Sequence, residues 1–127
     1  MTKLQAQYKD LKKALKRLKE ALKQKATEMN RDASIQRFEF TFEMSWKLMQ
    51  SIAKNNNINL YGVKSIIREA AKLNLIDNPI EWFDFLEKRN QTAHTYKKEV
   101  AKEIYSTIKK FPNLVNKLIK DTKAHIN

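Results

Sequence analysis

The sequence predicts an all-α fold, an antiparallel four-helix up-and-down bundle with short additional helices, with residues 1–127 forming one helical domain. Three observations carry this. Leu4, Tyr8, Leu11, Leu15, Leu18 and Leu22 follow one another at steps of 4, 3, 4, 3 and 4, which places a single apolar stripe on an α-helix with lysines around the rest. Apolar stripes at the same helical spacing recur downstream. Only one Gly and two Pro occur among 127 residues, too few for the repeated φ > 0 turns of hairpins and Greek keys.

The first stripe defines the first helix. Basic amphipathic helices also lie on membrane surfaces, but the matching stripes downstream favour packing into a bundle. Asn30-Arg31-Asp32 interrupts the pattern, and Asp32 is the expected N-cap of a second helix near 33–54. That helix carries Ile35, Phe38, Phe42, Trp46, Met49 and Ala53 on one stripe and Phe40, Met44 and Leu48 on another. A helix apolar on more than one side is central to a bundle or shared with another subunit. Glu43 and Lys47, at i and i+4, are expected only to support the helix slightly.

Asn55-Asn56-Asn57 and the single glycine, Gly62, mark a chain reversal, because asparagine and glycine tolerate left-handed backbone. A short helix follows at about 63–73, with Val63, Ile66, Ile67 and Ala70 inward. Asp77-Asn78-Pro79-Ile80-Glu81 is a start signal, with Asn78 as N-cap, Pro79 first in the helix and Glu81 completing a capping box. The helix is expected to run through Trp82, Phe83 and Leu86 to about Thr95. Val100, Ile104 and Ile108 continue it after a bend at Tyr96-Lys97, and Pro112 ends or kinks this piece. A last helix carries Leu114, Val115, Leu118 and Ile119 and frays after Thr122.

Composition narrows the function classes. With no cysteine, disulfides, thiol catalysis and Cys-ligated metal sites are excluded. His94 and His125 are the only histidines, without a HExxH or paired His–carboxylate spacing, so no metal and no cofactor is expected. No apolar run approaches the roughly 18 residues of a membrane span. The start, Met1-Thr2-Lys3-Leu4-Gln5, lacks the apolar core of a secretory signal, so a cytoplasmic protein without a membrane partner is expected.

The formal net charge of +12 is unevenly spread: +6 over residues 1–30, +1 over 31–96 and +5 over 97–127. Localised positive charge favours a polyanion, most commonly nucleic acid, although a generally lysine-rich solvated surface has the same composition.

One stretch fits neither core nor plain surface: Glu87-Lys88-Arg89-Asn90-Gln91-Thr92-Ala93-His94-Thr95-Tyr96. On a continuous helix, Trp82, Leu86, Arg89, Ala93 and Tyr96 share one stripe, and Phe83, Asn90 and His94 the next. Arginine, asparagine, histidine and tyrosine thus stand where the pattern calls for apolar residues. Burying them unpaired is costly, so they are expected to line a cleft or subunit seam.

RNQTAHTY, residues 89–96, resembles the Arg-x4-6-His motif of the HEPN superfamily and, more narrowly, the RNxxxHxY form of its HEPN/MNT group. Phe38-Glu39-Phe40-Thr41-Phe42-Glu43 with Trp46-Lys47, and Ile67-Arg68-Glu69-Ala70 before Leu75-Ile76, are similar to the same group. The resemblance spans roughly residues 30–110. It implies a four-helix bundle that forms a homodimer with the motif helices facing each other. It also implies the toxin of a toxin–antitoxin module: a metal-independent ribonuclease acting on RNA, silenced when a cognate minimal nucleotidyltransferase antitoxin adds AMP to the motif tyrosine. Carried onto this chain, Arg89 and His94 are the catalytic pair, Asn90 an orienting residue and Tyr96 the AMP acceptor. Lys97-Lys98 follow the tyrosine, where members of the group often carry acidic residues; this strengthens RNA contact or weakens docking of the partner.

The chemistry implied is physically reasonable. His94 can exchange a proton near neutral pH, and Arg89 can grip a phosphate through two N–H bonds. On one ideal helix, five residues separate the two by about 140°. A two-fold seam resolves this by supplying two histidines, one as base and one as acid. No glycine-rich phosphate loop or paired aspartates accompany Tyr96, so the nucleotidyltransferase is expected on another polypeptide. The alternatives are a non-catalytic substrate-binding subunit of a nucleotidyltransferase complex, and a basic bundle that only binds nucleic acid or membrane.

Overall fold

A computed structural model describes residues 1–127 and contains helices only: α1 (Lys3–Leu22), α2 (Glu28–Asn55), α3 (Val63–Lys72), α4 (Pro79–Gln91), α5 (Lys98–Ile108) and α6 (Phe111–Thr122). Short 3-10 turns follow α4 at Thr92–His94 and α6 at Lys123–His125. No helix is long and apolar enough to cross a membrane.

α1 starts on a capping box that the leucine pattern does not reveal, in which the Thr2 side chain accepts from the Gln5 N–H while the Gln5 side chain accepts from the Thr2 N–H. Its leucine stripe is buried from Leu4 to Leu18, with Leu11 and Leu18 fully enclosed and Leu22 half-buried. The apolar face is therefore consumed by the core, and α1 cannot present it to a membrane. α1 and α2 run antiparallel: Arg37 of α2 donates to the Arg17 carbonyl of α1 at 2.8 Å. On the α2 face toward α1, buried Thr41 and Ser45 turn their hydroxyls back onto the Arg37 and Thr41 carbonyls at 2.7 Å. Their small side chains let the two helices approach without orphaned polar atoms.

The N-cap of α2 is Thr27, not Asp32. The Thr27 hydroxyl accepts from the Asn30 N–H, and Asn30 and Arg31 donate their side chains to the Lys25 and Ala26 carbonyls. The polar run that looked like an interruption instead lies inside the first turns, tying down the preceding loop. Of the two stripes on α2, the first is buried apart from half-buried Trp46. The second is split: Leu48 is buried, whereas Phe40 and Met44 are exposed.

Asn57 takes the left-handed backbone of the α2–α3 reversal, with φ of 62°. Gly62 has φ of −77° and serves as the N-cap of α3. α4 opens on Asn78 and Pro79 as expected, but the Asn78 Oδ1 accepts from the Ile80 N–H and Glu81 closes no capping box. α5 does not continue α4. It folds back beside it, so that Lys88 Nζ lies 2.9 Å from Glu103 Oε1. Pro112 sits in the first turn of α6, where its missing N–H costs nothing. The chain end does not fray at Thr122, because a 3-10 turn carries Ile126 into the core.

The core is one continuous apolar cluster. Its centre is Phe111, whose ring lies 4.9 Å from Phe85, 5.0 Å from Phe38 and 5.5 Å from Trp82. Rings from α2, α4 and α6 thereby converge and anchor the first turns of α4.

Candidate active site

Trp82, Phe85 and Leu86 pin α4 to the core through its first two turns. Arg89, one turn further on, is half-buried, and its Nη1 donates to Glu43 Oε1 of α2. The guanidinium lies 5.7 Å from the Phe42 ring centroid, a cation–π contact, and its Nε–H is buried without a partner. The other oxygen of Glu43 accepts from Trp46 Nε1 at 3.0 Å. Glu43 is thus engaged by Arg89 rather than paired with Lys47, which instead lies over the Trp46 ring.

Beyond Gln91 the helix tightens. The Thr92 hydroxyl donates to the Arg89 carbonyl at 2.6 Å, the Thr95 hydroxyl to the Thr92 carbonyl at 3.1 Å, and the Lys97 N–H to the His94 carbonyl at 3.0 Å. These closures make a tight corner between α4 and α5. The continuous inward stripe expected through Ala93 and Tyr96 is therefore broken. Ala93, His94 and Tyr96 are exposed, Tyr96 to 77%, and Asn90 also faces solvent. The His94 and Tyr96 rings meet edge-on at 6.2 Å, and Lys97 Nζ lies 5.9 Å from the Tyr96 ring centroid. The corner brings His94 and Tyr96 together and leaves Arg89 on the α2 side, with no hydrogen bond between Arg89 and His94.

A groove beside Tyr96 is lined by Asp32, Ala33, Gln36, Glu39 and Thr95, so α2 also frames the corner. Burial pushes the Glu39 carboxyl above its ordinary range and Glu43 reinforces this, while the Thr92 hydroxyl and the Arg89 charge oppose it. Glu39 and Glu43 are the site residues that reading the motif missed. Their spacing of four along α2 was visible, but not the partner it faced. No three His, Asp or Glu side chains converge to hold a metal ion.

Chemically, the corner offers an exposed imidazole, a phenol in solvent and an arginine held by a carboxylate. An antiparallel helical bundle displaying Arg-x4-His-x-Tyr on such a corner is a HEPN-type fold. The chain belongs to the family described as nucleotidyltransferase substrate binding protein like, whose model matches residues 6–124. It is similar to a Haemophilus influenzae (strain ATCC 51907 / DSM 11121 / KW20 / Rd) protein named Probable ribonuclease HepT, at 39% identity over 83 residues, 61% of this chain and 57% of that one. The match thus spans little more than half the length of that relative.

Among solved structures, it is similar to a Thermus thermophilus protein with a TM-score of 0.81 and 29% identity, covering 87% of this chain and 96% of that one. It is also similar to HI0074 of Haemophilus influenzae, described as the fold of a substrate binding domain of a nucleotidyltransferase. That match has a TM-score of 0.71 and 28% identity, covering 94% of this chain and 96% of that one. The resemblance to the HEPN/MNT group read from RNQTAHTY is thereby shown.

Proposed function

We propose that this chain is a HEPN-type ribonuclease toxin that acts on RNA as a homodimer and is neutralised by a cognate minimal nucleotidyltransferase through AMP addition to Tyr96. The observation that carries this reading is the α4–α5 corner, where His94 and Tyr96 stand in solvent while Arg89 is fixed one turn earlier. Cleavage without a metal needs a base for the 2′-hydroxyl, an acid for the leaving 5′-oxygen and positive charge on the phosphorane. Two corners facing each other across a two-fold axis supply one His94 as base, the second as acid, and two guanidiniums; Asn90 orients the phosphate. Tyr96 is a poor nucleophile until the partner's own catalytic groups remove its proton. An AMP placed there adds bulk and negative charge beside His94, which blocks an incoming RNA phosphate.

A second reading, a non-catalytic subunit that presents substrate to a nucleotidyltransferase, draws support from Arg89 being occupied by Glu43. One experiment separates the two. His94→Ala is expected to abolish RNA cleavage and growth arrest with the helical fold intact, and Arg89→Lys to impair both strongly. Intact mass after incubation with the partner, ATP and Mg²⁺ is expected to rise by about 329 Da per AMP on wild type and not on Tyr96→Phe. Wild-type protein that neither cleaves RNA nor slows growth would hand the case to the second reading.

A further inference from the structure

The two basic ends of the sequence converge in space. α1 and α6 pack antiparallel, with the Tyr8 hydroxyl donating to the Ile119 carbonyl at 3.0 Å and Lys19 Nζ reaching Asn116 Oδ1 at 3.1 Å. An open groove runs along this seam, and Lys12, Lys16, Lys19 and Lys23 form one wall of it. Steps of 4, 3 and 4 put these four within an arc of about 60° on an ideal helix, over a length of about 16 Å. Glu20 is the one acid in the groove, and no carboxylate lies within ion-pair distance of any of the four lysines. Unpaired cations at successive helical steps form a linear field, which suits a linear polyanion better than a point ligand.

We infer that the α1–α6 groove is an RNA-backbone exosite, holding the phosphates of a single strand apart from the motif corner. The groove shares no residue with that corner. A lipid surface is disfavoured because the apolar face of α1 is spent inside the core, which leaves little to insert between lipids. Asn116, whose Oδ1 accepts from Lys19 Nζ, keeps its amide N–H donors at the groove edge, which suits ribose hydroxyls. The choice of RNA rests on the ribonuclease reading; the presence of a polyanion site does not.

The test is fluorescence anisotropy with a labelled 20-nucleotide 2′-O-methyl RNA, which cannot be cleaved, across a salt series. It compares wild type, a variant carrying Lys12→Gln, Lys16→Gln, Lys19→Gln and Lys23→Gln, and a control carrying Lys54→Gln, Lys64→Gln, Lys72→Gln and Lys102→Gln. Each phosphate neutralised on a single strand contributes about 0.7 to the log–log salt slope, so the groove variant is expected to lose about three units of slope. If the two proteins converge near 1 M salt, that loss corresponds to two to three orders of magnitude in affinity at about 0.1 M. The control is expected to change little.

Cleavage of a short dinucleotide substrate is expected to be unchanged in the groove variant, since the groove shares no residue with the motif corner. Equal losses in variant and control would overturn the proposal, as would binding to anionic phosphatidylserine vesicles in place of RNA. Wild type that binds RNA through the groove without cleaving any substrate would sink the ribonuclease reading and leave the exosite standing.

Discussion

Glu39 gives the corner a pH signature. Its carboxyl sits above the ordinary value of 4.5, chiefly because burial disfavours the charged form. The folded chain therefore holds this proton more tightly than the unfolded chain does. The stability it contributes is present below the ordinary value and is lost as pH rises through the raised one. Glu39→Gln removes that loss while keeping shape. The stability of the Gln variant relative to wild type is expected to climb as pH rises above the ordinary carboxylate range and to level off once Glu39 is ionised in the folded chain, as read by urea denaturation at a series of pH values. A difference independent of pH would show that Glu39 is solvated as an ordinary surface carboxylate. The sequence did not mark Glu39 or its neighbour Glu43 as site residues, for a physical reason. Arg89, His94 and Tyr96 announce themselves by local spacing, but Glu43 reaches Arg89 across 46 residues of chain, and only the packing of α4 on α2 makes that pair.

Among the elements, the start of α2 is where the expected cap and the observed one differ. Thr27 caps through a bond to Asn30, whereas Asp32 lies inside the helix and is exposed. Thr27→Ala is expected to cost about 1 kcal/mol in unfolding free energy, and Asp32→Ala to stay within about 0.5 kcal/mol. The reverse order in thermal or urea melts would restore Asp32 as the cap. The sequence made α1, α3 and the start of α4 legible because the apolar spacing of the first two and the Asn78-Pro79 start of the third are local signals. It left two things unread. The α4–α5 reversal depends on the Thr92 and Thr95 hydroxyls closing a turn within a run that reads as continuous helix. Phe85 and Phe111 belong to no long stripe, yet they meet at 4.9 Å near the centre of the core, brought together by tertiary packing alone.

At the scale of the whole molecule, the bundle separates its chemistry: lysines line the α1–α6 seam, and the motif stands at the α4–α5 corner against α2. Phe40 and Met44 remain exposed on α2, on the side that faces Lys13, Ala14 and Arg17 of α1 rather than in the corner groove. Within one chain Arg89 faces α2 while His94 faces solvent, so a single corner supplies one imidazole where acid and base are both needed. The composite mechanism therefore makes a quantitative demand. Wild type and His94→Ala chains, unfolded and refolded together, assort into three dimers, of which only the pure wild-type one holds both histidines. RNase activity is expected to fall with the square of the wild-type fraction, to about a quarter in an equal mixture, when total chain concentration is held constant. A corner that acts alone gives a linear decline, to about a half. The readout is initial cleavage rate against mixing ratio, with native mass spectrometry confirming that the chains exchange. A straight line through the mixed-dimer range would reject the two-histidine site even if the protein proves to be a dimer and a ribonuclease.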